Sequence, residues 1–196
     1  MDEDFQELDY RELELSVKQD DLEIIDQVLL ADIARSWERL GNIAPPIRRT
    51  LEGWSHKPEA LRHSPLGHSL LIVAAYARGK GFFAKDDVER AMKLIYRQLF
   101  GDSLSAAYVV PRAFETTELG QVFNSVYTRM YDVGELISAK QAYTFLGVSR
   151  QSLHDRASEG KLRRIYLKSG YLYLRSEIKE LKKQRELRRN RSKSCP

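Results

Sequence analysis

The sequence predicts a mainly α-helical chain: a helical N-terminal and central part, followed by a C-terminal unit of helices that carries one small β-hairpin. Three observations predict it. Apolar residues recur at helical spacing between Leu22 and Tyr127, interrupted by Gly and Pro. Residues 138–181 hold two sets of helix start and stop signals in close succession. Ser169-Gly170, between Leu162–Leu167 and Tyr171–Leu174, marks the hairpin.

Residues 1–20 form an acidic arm with embedded apolar positions. Leu13, Leu15 and Val17 alternate, so a short strand and a disordered arm are both open. Residues 21–66 read as a helix followed by a Pro-rich connection. Leu22, Ile25, Leu29 and Ile33 form its stripe, running into Trp37 and Leu40, and Gly41 ends it. Pro45-Pro46, Gly53, Pro58 and Pro65 then break regular structure. Residues 67–132 read as one helical domain. Leu70, Ile72, Val73, Tyr76 and Ala77 make a largely apolar helix, capped by Ser64 or begun by Pro65. Gly79-Lys80-Gly81 breaks it, and Asp86 or Asp87 starts the next, with Val88, Met92, Ile95, Tyr96 and Leu99 on one face. A third helix runs from Phe114 to Met130, with Leu119, Val122, Phe123, Val126 and Tyr127 turned inward. Helices this apolar form a core, a self-association face, or both.

Residues 136–183 form the unit whose chemistry points to a function. Ser138 and Gln141 can make a capping box, and Gly147 can take the positive φ that ends the helix. Ser149 caps a second, short helix that Gly160 closes. Leu153 and Ala157 pack inward, while Arg150, Gln151, Ser152, His154 and Asp155 mostly point elsewhere. The hairpin carries Lys161, Arg163, Arg164 and Lys168 beside Tyr166, Tyr171 and Tyr173. Ser176 caps a third helix with Ile178 and Leu181 inward, and residues 184–196 form a basic tail.

Charge is lopsided. Residues 1–30 hold 11 acidic and 2 basic side chains, whereas residues 138–196 hold 5 acidic and 16 basic. The basic end coincides with the two-helix unit, and clustered Lys and Arg bind duplexes by releasing condensed counterions. The acidic arm is expected to be solvated; it can alternatively lie over the basic unit or contact another protein.

The stretches Ser138-Ala-Lys-Gln-Ala-Tyr-Thr-Phe-Leu-Gly-Val-Ser-Arg, Glu159-Gly-Lys-Leu and Tyr171-Leu-Tyr-Leu-Arg-Ser-Glu-Ile resemble the winged helix-turn-helix of MerR-type regulators and phage-excisionase-type proteins. The likeness covers less than a third of the chain. In MerR-type regulators the unit usually comes first, whereas here it follows the central helices. The resemblance implies a recognition helix at about Arg150–Ser158 and a wing at Arg163–Tyr173. Helix residues near the start of such an element reach base edges in the major groove. Arg150, Gln151 and His154 are then the base-edge candidates. Ser149, Ser152 and Lys140 fix register on phosphates. Arg163, Arg164, Lys168 and Tyr171 grip the backbone through the wing, and Arg188, Arg189 and Arg191 add unspecific attraction.

The expectation is a non-enzymatic, sequence-specific duplex DNA-binding protein, a transcriptional regulator, acting as a homodimer through residues 67–130. The alternatives are an excisionase-like or packaging-type DNA accessory factor and a protein-interaction subunit of a larger assembly. Catalytic signals are absent. His63 and His68 lie five apart across Pro65-Leu66-Gly67, which is no metal pair. Gly79-Lys80-Gly81 lacks the phosphate-loop pattern, and Asp86-Asp87 suits a helix start. No cofactor and no metal are expected. The single cysteine, Cys195, forms no internal disulfide. No run of 18 apolar residues and no apolar leader occur, so a cytoplasmic protein without a membrane span is expected.

Overall fold

Helix caps and apolar spacing set where the chain coils, and burial sets which coils group together. The computed structural model describes residues 10–40, 58–81, 83–101, 108–167 and 170–193. It is mainly helical with a small antiparallel sheet, in two compact units divided after Gly101.

The first unit contains α1 (Tyr10–Ser16), α2 (Gln19–Leu40), α3 (Pro58–Leu61), α4 (Pro65–Ala77) and α5 (Lys85–Phe100). Helix α4 is apolar apart from His68 and Ser69, and Leu70, Leu71, Val73 and Ala75 have almost no exposure. Such a helix must lie inside, and α1, α2 and α5 pack around it. Ser64 Oγ accepts from the Gly67 amide at 3.1 Å and Pro65 occupies the first turn, so both expected start signals operate together. Helix α5 buries only Val88, Ala91, Met92 and Ile95, one face of an amphipathic helix.

The alternation of Leu13, Leu15 and Val17 yields neither a strand nor, over residues 10–20, a disordered arm. Tyr10–Ser16 is helical. Leu13 and Val17, four apart, are both buried, while Leu15 points to solvent. Residues 1–9 of the arm and the connection 41–57 lie outside the described residues. Several acidic side chains beyond them are paired within the unit. Asp21, 2% exposed, accepts from Arg78 Nε and Nη2 at 2.8 and 2.7 Å. Asp26 accepts from Arg62 Nε and Nη2 at 2.7 and 2.6 Å, and Glu14 lies 3.8 Å from the same guanidinium. These bonds to carboxylates raise both guanidinium pKa values above the ordinary arginine value.

The second unit begins with a 3₁₀ turn (Arg112–Thr116) and α6 (Glu118–Met130). Then follow β1 (Leu136–Ser138), α7 (Ala139–Leu146), α8 (Arg150–Ser158), β2 (Arg164–Leu167), β3 (Gly170–Leu174) and α9 (Arg175–Lys193). The sheet is antiparallel in the order β1-β3-β2, with Ile137 opposite Tyr173 and Ile165 opposite Leu172. Ala142, Leu146, Leu153, Ala157, Leu162, Tyr173 and Ile178 form the core between α7, α8, β3 and α9. Helix–turn–helix–hairpin–helix is thus the observed order. Strand β1 is an addition that the sequence reading missed, because three residues give too short an alternation to register.

Two boundaries differ from the expectation. The apolar stretch 67–132 is split, because α6 lies in the second unit. Its Leu119, Phe123, Val126 and Tyr127 are buried, and it packs on the 3₁₀ turn and on β2. Phe114 meets Phe123 edge-on at 5.6 Å, and Asn124 Oδ1 accepts from the Tyr166 amide at 3.0 Å, covering the outer edge of β2. The basic tail is also not separate over 184–193. Helix α9 continues to Lys193, as expected of a Lys-, Arg-, Gln- and Glu-rich run without Gly or Pro.

Two outcomes are expected. A Cβ added at Gly120 would run into the Phe114 carbonyl. Gly120→Ala should therefore lower stability by about 1–3 kcal/mol in denaturant titration, against the usual gain from replacing a helical glycine. Tyr173 is buried with its hydroxyl 3.3 Å from His154 Nδ1, and burial pushes its pKa up to about 12. A raised pKa favours the protonated form in the folded state. Its contribution is complete below the ordinary tyrosine value of about 10 and is lost as pH rises toward 12. Absorbance titration should show one tyrosine ionising last, together with unfolding, and Tyr173→Phe should abolish that step.

Candidate nucleic-acid interface

The short helix α8 is placed by two local devices. Ser138 Oγ accepts from the Gln141 amide at 3.3 Å, and Gln141 Oε1 accepts from the Ser138 amide at 2.9 Å, so α7 starts on the expected capping box. Gly147, at φ 61° and ψ 45°, then reverses the chain in the left-handed region that favours glycine. Ser149 Oγ accepts from the Ser152 amide at 3.1 Å and starts α8. Leu153, His154 and Ala157 face the core, which turns the opposite side of α8 outward.

Lys140, Ser149, Arg150 and Gln151 are exposed, and Ser152 is half-buried beside its cap. Arg150 sits on the first turn of α8, where unpaired amides and the helix dipole favour an anion. The Gln151 side-chain amide donates to Asp155 Oδ1 at 2.7 Å, which uses one of its two N–H groups. Asp155 and Glu159 share the outward side of α8 with Gln151.

Four of the expected contacts, His154, Arg163, Arg164 and Tyr171, are engaged inside the unit. His154 is 4% exposed, with Tyr173 on one side and the Tyr171 ring 5.0 Å away edge-on. It lies next to Leu153 and three positions before Ala157, so it shares the core side of this helix. Arg163 does not face outward alone. Its amide donates to Glu177 Oε2 at 2.8 Å, its Nε lies 2.7 Å from Glu177 Oε1, and its Nη1 donates to the Tyr131 hydroxyl. Arg164 is buried: its Nε donates to Glu115, its Nη1 to Ser158 Oγ at 3.4 Å, and its guanidinium lies 5.1 Å from the Tyr171 ring. Both guanidinium groups hold the hairpin to its surroundings. Tyr171 is half-buried between His154, Arg164 and Tyr166, so it too is mainly packing.

Lys168 lies outside the described residues. Arg188, Arg189 and Arg191 fall on α9, with side chains outside the description. Two contacts near the site, and the exposure of the hairpin's Tyr166, were not expected from the sequence. Lys182 Nζ sits 4.2 Å over the exposed Phe145 ring, Arg185 Nη1 donates to the Leu146 carbonyl at 2.6 Å, and Tyr166 is exposed on β2. The signal for Arg185 was present in the four carbonyls that every helix leaves unpaired at its C-terminus, here α7's.

Among the described residues, no group of three or more His, Cys, Asp and Glu could hold a metal ion, and no helix is long and apolar enough to cross a membrane. No family model matches the chain, and no curated protein or solved structure matches it.

Arg164→Ala should unfold the second unit more readily, by about 3–5 kcal/mol, because Glu115 would be left charged and buried. The double replacement Arg164→Met with Glu115→Leu should recover most of that loss in the same denaturant titration.

Proposed function

We propose that this chain binds double-stranded DNA sequence-specifically through α8, as a transcriptional regulator of winged helix-turn-helix type. The observation that carries the reading is the exposed Arg150–Gln151 pair at the capped start of a short helix that Leu153 and Ala157 fix to a core. Arg150 pairs with the O6 and N7 of guanine, and Gln151 with adenine. Ser149, Ser152 and Lys140 meet phosphates. With Arg163 and Arg164 engaged inside the unit, the backbone grip falls to the hairpin turn with Lys168, to exposed Tyr166, and to the cationic helix α9 with Arg188, Arg189 and Arg191.

The helix enters the groove by its N-terminus. Asp155 and Glu159 on its outward side would repel phosphates if it lay lengthwise. A homodimer belongs to this reading on footprint grounds, since one small module buries limited area on DNA. The apolar helix α4 is not the face that joins two copies, because it is occupied in the first unit's own core.

One observation favours a second reading. The same two carboxylates suit a protein partner with basic groups, as in a subunit of a larger assembly. An excisionase-like or packaging-type accessory factor uses the first mechanism at adjacent sites with strong bending.

Selection of bound fragments from a random duplex pool, followed by sequencing, decides between them. The DNA reading expects an enriched motif. Arg150→Ala should weaken binding to it by about 1–3 kcal/mol and relax the preference at one base pair. Random fragments that fail to bind even at low salt would leave the protein-partner reading.

A further inference from the structure

Beside the outward face of α8 lies a cleft that none of these contacts uses. It encloses about 390 Å³ and is lined by Arg156, Lys161, Leu181, Gln184 and Arg185. Three of these residues are cations, and they come from three elements: α8, the turn after it, and α9. Two carboxylates lie close by. Glu159 Oε2 is 2.6 Å from Lys161 Nζ, and Glu180 Oε1 accepts from the Gln184 amide at 3.2 Å. Arg185 is anchored by its bond to the Leu146 carbonyl, which uses one of its five N–H groups and leaves the others near the cleft.

Arg156 differs from its neighbours. Its Nε is closed off from solvent and, among the described residues, has no acceptor. A guanidinium N–H withdrawn from water without an acceptor is a cost that folded proteins rarely leave standing. A small turn about the last torsions of this flexible side chain presents Nε and one terminal N–H, as a fork, to an acceptor in the cleft.

We propose that this cleft binds a phosphate group. Two guanidinium groups, one ammonium and one amide N–H surround a volume suited to a small ligand, and a phosphate offers enough charge and acceptor oxygens to meet them all. A monocarboxylate, with one charge and two oxygens, would leave part of this donor set unanswered. Leu181 supplies an apolar wall against which the organic body of a phosphomonoester rests. The phosphate comes either from a free ligand or from the backbone of bound DNA, and the chemistry of the cleft is the same for both.

Calorimetric titration of the full chain with inorganic phosphate and with pyrophosphate, at constant ionic strength and with chloride as control, tests this. Saturable binding is expected for phosphate or pyrophosphate and not for chloride. Arg156→Gln and Lys161→Gln should each weaken it about tenfold. Lys161 is exposed, so its variant keeps the fold, and an unchanged melting temperature verifies this for both. Absence of a saturable signal, or binding by both variants equal to the wild type, overturns the proposal. Adding saturating phosphate to the protein–duplex complex at the same ionic strength identifies the source. Displacement of the duplex assigns the cleft to backbone phosphate, and joint binding assigns it to a free ligand. A chain that binds phosphate but no duplex removes the DNA reading and leaves this one standing.

Discussion

A carboxylate and a guanidinium, Glu115 and Arg164, lie out of water together, and much of the second unit is arranged around that pairing. Removing two charges from solvent costs more than their attraction alone returns, unless their other hydrogen-bonding groups are also met. Arg164 is met well: Ser158 and the face of Tyr171 complete its surroundings. Glu115 is met on one oxygen, with Oε2 buried and without a partner among the described residues. The pair is therefore weak as a source of stability and strong as a constraint. It ties β2 to the 3₁₀ turn before α6, and the Asn124 bond to the Tyr166 amide fixes α6 to the same strand. The hairpin is held by its base, and among its described residues the exposed Tyr166 on β2 is left to meet a partner.

That constraint explains what the sequence disclosed and what it hid. Caps are local, and a Ser three residues before a Gln, or a Gly after an apolar turn, carries its meaning in a few positions. The capping box at Ser138, the left-handed Gly147 and the cap at Ser149 were all legible for this reason. Arg163 and Arg164 looked like phosphate contacts because an arginine's partner is not visible in its neighbours. Glu115 lies 49 residues away in sequence and Tyr131 lies 32 away. The same limit misplaced α6. Its apolar stripe was read correctly as a buried face, but periodicity says that a face is covered and not by what. His154 was misjudged by a narrower margin, since a histidine on a helix of mixed polarity can satisfy its ring nitrogens in a core when a tyrosine hydroxyl is at hand.

The acidic end of the chain raises the question of whether its carboxylates oppose the cationic end. Net charge alone, negative over residues 1–30 and positive over 138–196, suggests mutual attraction. Pairing inside the first unit weakens that suggestion. Asp21 and Asp26 are each held by two bonds to one arginine, and Glu14 shares the second arginine. A carboxylate already bonded to a guanidinium at such distances has little field left to project beyond a Debye length of about 8 Å. Asp21 and Asp26 hold α2 against the ends of α4 and α3, and Glu14 adds α1 to the second pairing, so these acids contribute to the first unit's fold.

The electrostatics of α8 lead to the final step. Its amide-rich start and Arg150 favour negative charge, while Asp155 and Glu159 disfavour it half a helix further on. A helix so divided is poorly suited to lying along a phosphate-lined groove and well suited to entering it end-on. On the DNA-binding reading proposed above, the cations that would otherwise follow the groove lie on its flanks: Lys140 at the start of α7, Arg156 and Lys161 beside the cleft, and Lys179 and Lys183 on α9. On that reading specific contacts would concentrate in two or three side chains at one helix end, and unspecific attraction would come from elements on either side. The base preference would then depend on Ser149 holding its cap and on the core holding Leu153, because the same residues that start the helix position Arg150.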